Sequence, residues 1–168
     1  AQRMRLGPPR ALVRSANLKR AAISNDGTLL VATHTDDGAD FVDLTLPDQS
    51  RRLRVSHPSA EFVAISPDGQ WVATGTWHGR GVRVWERRTG AQVIELTSAT
   101  SSNDIASASV TFSPDGQWLV TATDKEYGFW TVGSWGRPHT GSQAEGNRVP
   151  GAITFGGDAR WAVIMQVL

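Results

Sequence analysis

The chain has 168 residues, 39% hydrophobic and 20% charged, with a mean hydropathy of -0.28. That composition describes a globular domain rather than a disordered segment, and no apolar run approaches the ~18–20 residues of a membrane-spanning helix. There is no cysteine, which excludes disulfide scaffolds, thiolate metal sites and cysteine nucleophiles; the net charge of +1 gives no global drive toward nucleic acid.

The basic, proline-containing start, residues 1–10, reads as a linker or the end of a preceding unit. From there one motif recurs: Ile23-Ser24-Asn25-Asp26-Gly27, Ile65-Ser66-Pro67-Asp68-Gly69, Phe112-Ser113-Pro114-Asp115-Gly116, and a worn copy, Phe155-Gly156-Gly157-Asp158-Ala159. Its intervals of 42, 47 and 43 residues suit four-stranded propeller blades. Short alternating runs precede each copy, as in Glu61–Ile65 and Ser109–Phe112. Proline presets the turn, and glycine accepts the left-handed return. Strands rich in pleated-sheet formers follow, opened by Trp71, Trp118 and Trp161. Third strands are read at Val82–Trp85 and Tyr127–Trp130, and fourth strands at Arg52–Val55 and Gln92–Leu96. No dozen residues keep a 3.6-residue apolar period, so no substantial helix is expected. The repeats run over about 11–49, 50–90, 91–136 and 137–168, the last one incomplete.

The strand–Ser-Pro-Asp-Gly–strand unit, followed by Val82-Arg83-Val84-Trp85-Glu86 and the Thr89-Gly90 turn, resembles the WD-repeat (WD40) β-propeller. Trp85-Glu86 stands where the Trp-Asp pair usually stands, and Asp43-Leu44 takes that place in the first copy. The proline-rich start and the segments around 77–90 and 129–135 are further similar to propellers attached to Ser/Thr protein kinases of planctomycete-type bacteria. The fold this implies is all-β: part of a WD40-type propeller, about three four-stranded antiparallel blades plus the first hairpin of a fourth. It also implies a structural hydrogen-bond network. His57 would sit before the inner strand, Thr74 or Thr76 would supply the hydroxyl, and Trp85 the indole. His78 replaces the usual turn aspartate, so the network is broken or rewired. In the third repeat Asp124 holds the turn before Trp130 without a matching histidine. Trp71, Trp118 and Trp161 recur at one place in each blade, which points to packing between blades.

Catalytic signatures are lacking in the sequence. The histidines, at 34, 57, 78 and 139, form no i, i+4 pair; there is no Gly-x-Ser-x-Gly elbow and no phosphate loop before a helix. Asp36, Asp37 and Asp40 lack calcium-loop spacing and read as a solvated turn. Arg51, Arg52, Arg54, Arg83, Arg87 and Arg88 read as outer-strand charges that resist edge-to-edge pairing. The candidate partner-binding face gathers Trp77, His78 and Arg80 with Lys125 and Glu126, beside the Ser/Thr-rich insertion 97–109. The resemblance therefore implies a non-catalytic protein-interaction scaffold, with a regulatory or targeting role toward a bacterial kinase. The alternative is an enzymatic or ligand-binding propeller whose site lies in other blades. No cofactor, metal, nucleic acid or membrane insertion is expected. The partners would be proteins, further blades of the same chain, or a second copy meeting the open sheet edges left where the sequence stops at Leu168. No signal peptide is read, which favours the cytoplasm.

Overall fold

The computed structural model describes residues 12, 17–34, 38–46, 52–79, 81–96, 107–136, 139–142, 152–156 and 162–165, the last group in backbone only. They form three four-stranded antiparallel meanders and one hairpin. The first sheet holds β1 (Leu18–Ile23), β2 (Leu29–His34), β3 (Gly38–Asp43) and β4 (Arg52–Val55). The second holds β5 (Ala60–Ile65), β6 (Trp71–Thr76), β7 (Val82–Glu86) and β8 (Gln92–Leu96). The third holds β9 (Ser109–Phe112), β10 (Trp118–Ala122), β11 (Glu126–Thr131) and β12 (His139–Ser142). The hairpin pairs β13 (Ala152–Phe155) with β14 (Ala162–Met165). Among the described residues there is no helix. The first strands β1, β5, β9 and β13 each pack on the next, so the sheets are arrayed as blades around their inner strands.

The recurring motif builds the turn between the first and second strand of each sheet. Ser24, Ser66 and Ser113 each hydrogen-bond the aspartate two residues on and accept the backbone N–H five residues on. The aspartates Asp26, Asp68 and Asp115 accept the N–H of Thr28, Gln70 and Gln117, at 3.0 Å in each case. The glycines that complete the turn have φ of 69°, 69° and 71°, a region open to glycine at little cost. The Ser24 hydroxyl and the Thr28 groups hold the Asp26 carboxyl well below its ordinary range, and the Ser113 hydroxyl lowers that of Asp115. These side chains close turns, so their charge is structural.

Two apolar layers lie between the sheets. One joins Leu29, Val31, Phe41 and Val55 of the first blade to Val72 and Trp85 of the second. The other joins Ala73, Val82, Val84 and Leu96 of the second to Phe112, Leu119 and Trp130 of the third. Alternation within β6 and β7 supplies both layers, because successive residues face opposite sides of a strand. Trp71 packs against the second layer, and Trp118 meets Phe129 edge-on. Trp161 lies outside the described residues.

The first blade departs from two expectations. Its third strand, β3, completes the four-stranded blade that was expected, but its register is one residue off the expected match. Leu29 pairs with Asp43 as Trp71 pairs with Glu86, so Val42, not Asp43, occupies the place of Trp85. Asp40 is not in a solvated turn but fully buried on β3. Gly38 makes this possible: with φ of 116°, it opens β3 where a Cβ would stand 2.1 Å from the Val55 carbonyl oxygen. Asp40 then accepts hydrogen bonds from Arg54 Nε (2.8 Å), from Arg52 Nη2 and from His34 Nε2 (2.6 Å). Burial pushes its carboxyl up, but the bonds from Arg54 and Arg52 and their charge outweigh this and leave it well below the usual range.

The arginines are likewise engaged rather than merely repellent. Arg52 and Arg54 neutralise Asp40. Arg83 lies on the third strand, not an outer one; it pairs with Glu95 across to β8 at 3.1 Å and donates to the Ser56 carbonyl at 2.9 Å. Arg87 reaches from the second blade to Thr28 and Asp26 of the first. Arg88 is exposed in the same turn, and residues 36, 37 and 51 lie outside the described residues.

Candidate interaction face

Strand order fixes which loops meet. In an antiparallel meander, loops between second and third strands share an edge with the segments that enter each inner strand. In the second blade these are Trp77–Gly79 and Ser56–Ser59. They are tied together: Trp77 N–H donates to the Ser59 carbonyl at 3.0 Å, and His78 N–H donates to Ser107 Oγ at 3.0 Å. Ser59 and His78 both hold left-handed backbone, with φ of 62° and 53°. That conformation costs a non-glycine residue about 1–2 kcal/mol, so the surrounding bonds over-determine it.

The half-buried Trp77 indole is bracketed by two rings. His78 stands edge-on with centroids 5.2 Å apart, and Phe62 lies tilted at 6.4 Å. The Arg20 guanidinium sits 4.9 Å above the Phe62 ring, within cation–π range. Two strand irregularities bring these groups together. The β1–β2 register slips between Leu18 and Ala21, and the β5–β6 register slips between Ala60 and Phe62. Bulges of this kind re-aim side chains. The buried Thr33 hydroxyl accepts from Arg20 N–H (3.1 Å) and donates to the Glu61 carbonyl (3.0 Å), locking one bulge to the other. The result is a cation–aromatic–aromatic–imidazole row across two blades.

The remaining candidates fall in several places. Lys125 and Glu126 lie at the corresponding turn of the third blade, where their N–H groups both donate to Thr123 Oγ1. They share the edge with Trp77 by topology. Arg80 lies outside the described residues. His57, Thr74 and Trp85 come together: His57 Nδ1 is 2.7 Å from Thr74 Oγ1, which also accepts the Trp85 indole N–H at 2.8 Å. Thr74, not Thr76, is the shared hydroxyl; Thr76 donates to the Gly81 carbonyl at 3.3 Å. In the third blade Thr121 takes the Trp130 indole N–H at 3.0 Å. Asp124 makes no hydrogen bond to that pair, and Thr123 closes its turn instead. His57, Thr74 and Trp85, and Thr121 with Trp130, lie buried in the interior.

Sequence reasoning missed Phe62 and Arg20 as members of the surface row, because a bulge leaves no local signature. It also missed the Asp40 cluster. Among the described residues no group of three or more His, Asp or Glu is placed to hold a metal ion. No helix there is long and apolar enough to cross a membrane.

Residues 51–86 and 92–130 match the WD40 family, described as WD domain, G-beta repeat. No curated protein matches the sequence. Among solved structures, the chain is similar to one described as dihydro-heme d1 dehydrogenase NirN in complex with DHE. The TM-score is 0.66 at 18% identity, over 88% of this chain and 32% of that one. It is also similar to hydrazine synthase of Kuenenia stuttgartiensis, with a TM-score of 0.71 at 18% identity, over 92% of this chain and 44% of that one. The chain thus spans about a third and under half of these two solved chains, and likeness at this identity speaks for the fold alone. The chain folds as a run of WD40-type β-propeller blades, with the family's repeat matched over residues 51–86 and 92–130.

Proposed function

We propose that this run of blades is a non-catalytic scaffold that binds a partner protein through the Trp77 edge. The observation that carries the reading is the half-exposed Trp77, framed by His78 and Phe62 on strained, over-determined loops. An amphipathic ring held rigidly at a surface loses little entropy on binding, which is why tryptophan is enriched among interface anchors. In the longer protein the scaffold would target or regulate an attached bacterial Ser/Thr kinase. The reading frame upstream of this segment decides that part: a kinase domain there supports it, and another domain refutes it.

The experiment pairs capture with folding. Trp77→Ala and His78→Asn (asparagine tolerates left-handed backbone) should each leave the melting curve nearly unchanged. Partner recovery from the source organism should fall by about tenfold or more for Trp77→Ala. Equal recovery by wild type and variant removes Trp77 from the interface. A large drop in melting temperature returns it to the core.

One observation favours a second reading. Two of the similar solved structures carry enzyme descriptions, a dehydrogenase and hydrazine synthase. A propeller of this kind can therefore serve inside an enzyme whose reacting groups lie in other blades or domains. Here the row at Trp77 would be a domain contact, and capture would return parts of the same polypeptide.

A further inference from the structure

The second and third blades meet differently from the first and second, and the repeat shows what is missing. Registers place Leu29 and Trp71 at the same position, opposite Asp43 and Glu86. Gly90 and Trp135 also correspond. Each donates its N–H to the carbonyl of the residue four before it, Glu86 or Thr131, and each holds left-handed backbone, with φ of 68° and 55°. Where the second blade meets the third, Trp135 lays its indole edge-on against Trp71, with centroids 5.6 Å apart and planes at 88°. Where the first meets the second, that pair is replaced by Leu29 and Gly90. A cleft of about 630 Å³ opens on this seam, within the size range of ligand-binding pockets.

The cleft has an apolar floor of Leu29, Phe41 and Leu53. Its rim carries the carboxylates of Asp43, Asp68 and Glu86 and the guanidiniums of Arg87 and Arg88. Arg87 is turned across the seam to Asp26 and Thr28. The three carboxylates accept turn hydrogen bonds from Thr45, from Ser66 and Gln70, and from the Arg88 N–H and Thr89, and the rim as a whole carries three acids against two bases. The floor suits a flat apolar group. Leu53 closes over Gly90, where a Cβ would stand 2.5 Å from Leu53 Cδ2, so the likeness to the next seam rests on Leu29, which takes the place of Trp71, the ring against which an indole is seated there. The rim charge favours cations beside it.

We infer that the cleft between the first two blades is a docking site for one aromatic side chain of a partner protein, flanked in that partner by lysine or arginine. It lies on the turn edge, the opposite edge from Trp77, and stands independently of the function proposed above.

Leucine-methyl NMR on the 168-residue chain tests it with three probes: acetylated, amidated Lys-Trp-Lys, Glu-Trp-Glu and Lys-Ala-Lys. The Lys-Trp-Lys probe should produce saturable ring-current shifts at the Leu29 and Leu53 methyls. Glu-Trp-Glu should bind at least about fivefold more weakly, with the gap closing as salt rises toward about 0.5 M. Lys-Ala-Lys should produce no saturable shift. Leu29→Trp, which installs the residue found at position 71, should abolish the Leu53 response. Gln70→Lys, on the exposed rim, should erase the charge preference without touching the floor, and it serves if the first variant does not fold. Shifts that avoid Leu29 and Leu53, equal response to the alanine probe, or silence at millimolar peptide overturn the inference. Shifts at these methyls that grow with protein concentration alone would assign the cleft to a second copy of the chain and overturn it equally.

Discussion

Replacing Thr74 by valine isolates the interior polar node, because valine keeps the shape and removes only the hydroxyl. That oxygen accepts the Trp85 indole N–H at 2.8 Å and lies 2.7 Å from His57 Nδ1. Trp85 and His57 are 4% and 1% exposed, so water cannot replace the lost partner. Each buried group left unpaired costs about 1–3 kcal/mol, which gives about 2–6 kcal/mol for the two. In a protein of this length that corresponds to a melting shift of roughly 4–24 °C. Thr121→Val in the third blade deprives one donor, Trp130 Nε1, and should cost about 1–3 kcal/mol. Urea unfolding followed by tryptophan fluorescence and far-UV circular dichroism measures both, with a constant m-value as the condition for comparing midpoints. A Thr74→Val midpoint equal to wild type, or a loss no larger than that of Thr121→Val, would refute the claim that one hydroxyl serves two partners.

Trp85→Ala removes the indole from the layer between the first two blades as well as its hydrogen bond, and should cost about 3–5 kcal/mol in the same urea titration. Trp135→Phe should be neutral or stabilising: among the described residues the Trp135 indole nitrogen is buried without a hydrogen-bond partner, and phenylalanine removes that liability while keeping an aromatic ring on Trp71. Asp40 has its carboxyl held low in the folded state, so its contribution is full above the unfolded value near 4 and is lost as pH falls below it. Stability measured from pH 7 to 3 should therefore drop in wild type, while Asp40→Asn should start lower and fall less steeply over that interval.

What the sequence revealed was what is built locally. The Ser-x-Asp-Gly turn closes within six residues, so Ser66, Asp68 and Gly69 carry their own instructions, and recurrence multiplied the signal. Trp85 was legible for the same reason, standing at the end of a short strand with a turn behind it. Asp40 was not. Its partners Arg52 and Arg54 come from a neighbouring strand 12 and 14 residues on, and three nearby acids look like a loop until the pairing is known. The one-residue error at Asp43 arose because the first blade lacks the tryptophan that fixes register in the second and third. Phe62 and Arg20 were hidden by bulges, and Trp135 by a turn in which a bulky residue adopts backbone usually left to glycine.

The repeat is thus a shared frame with unshared joints. In an array of this kind, stability is set by each unit and by its contact with the next. The frame repeats the Ser-x-Asp-Gly turns in all three blades and the threonine–tryptophan bond in the second and third. The joints differ on their turn edge: Trp135 on Trp71 closes one with apolar contact, and Arg87 on Asp26 and Thr28 bridges the other with charge. Charge at a partly exposed seam contributes little beside a buried aromatic pair. The joint between the first two blades therefore depends on its inner layer, from Leu29 and Phe41 to Val72 and Trp85. Its turn edge is left open, so a groove can form there without loosening the frame.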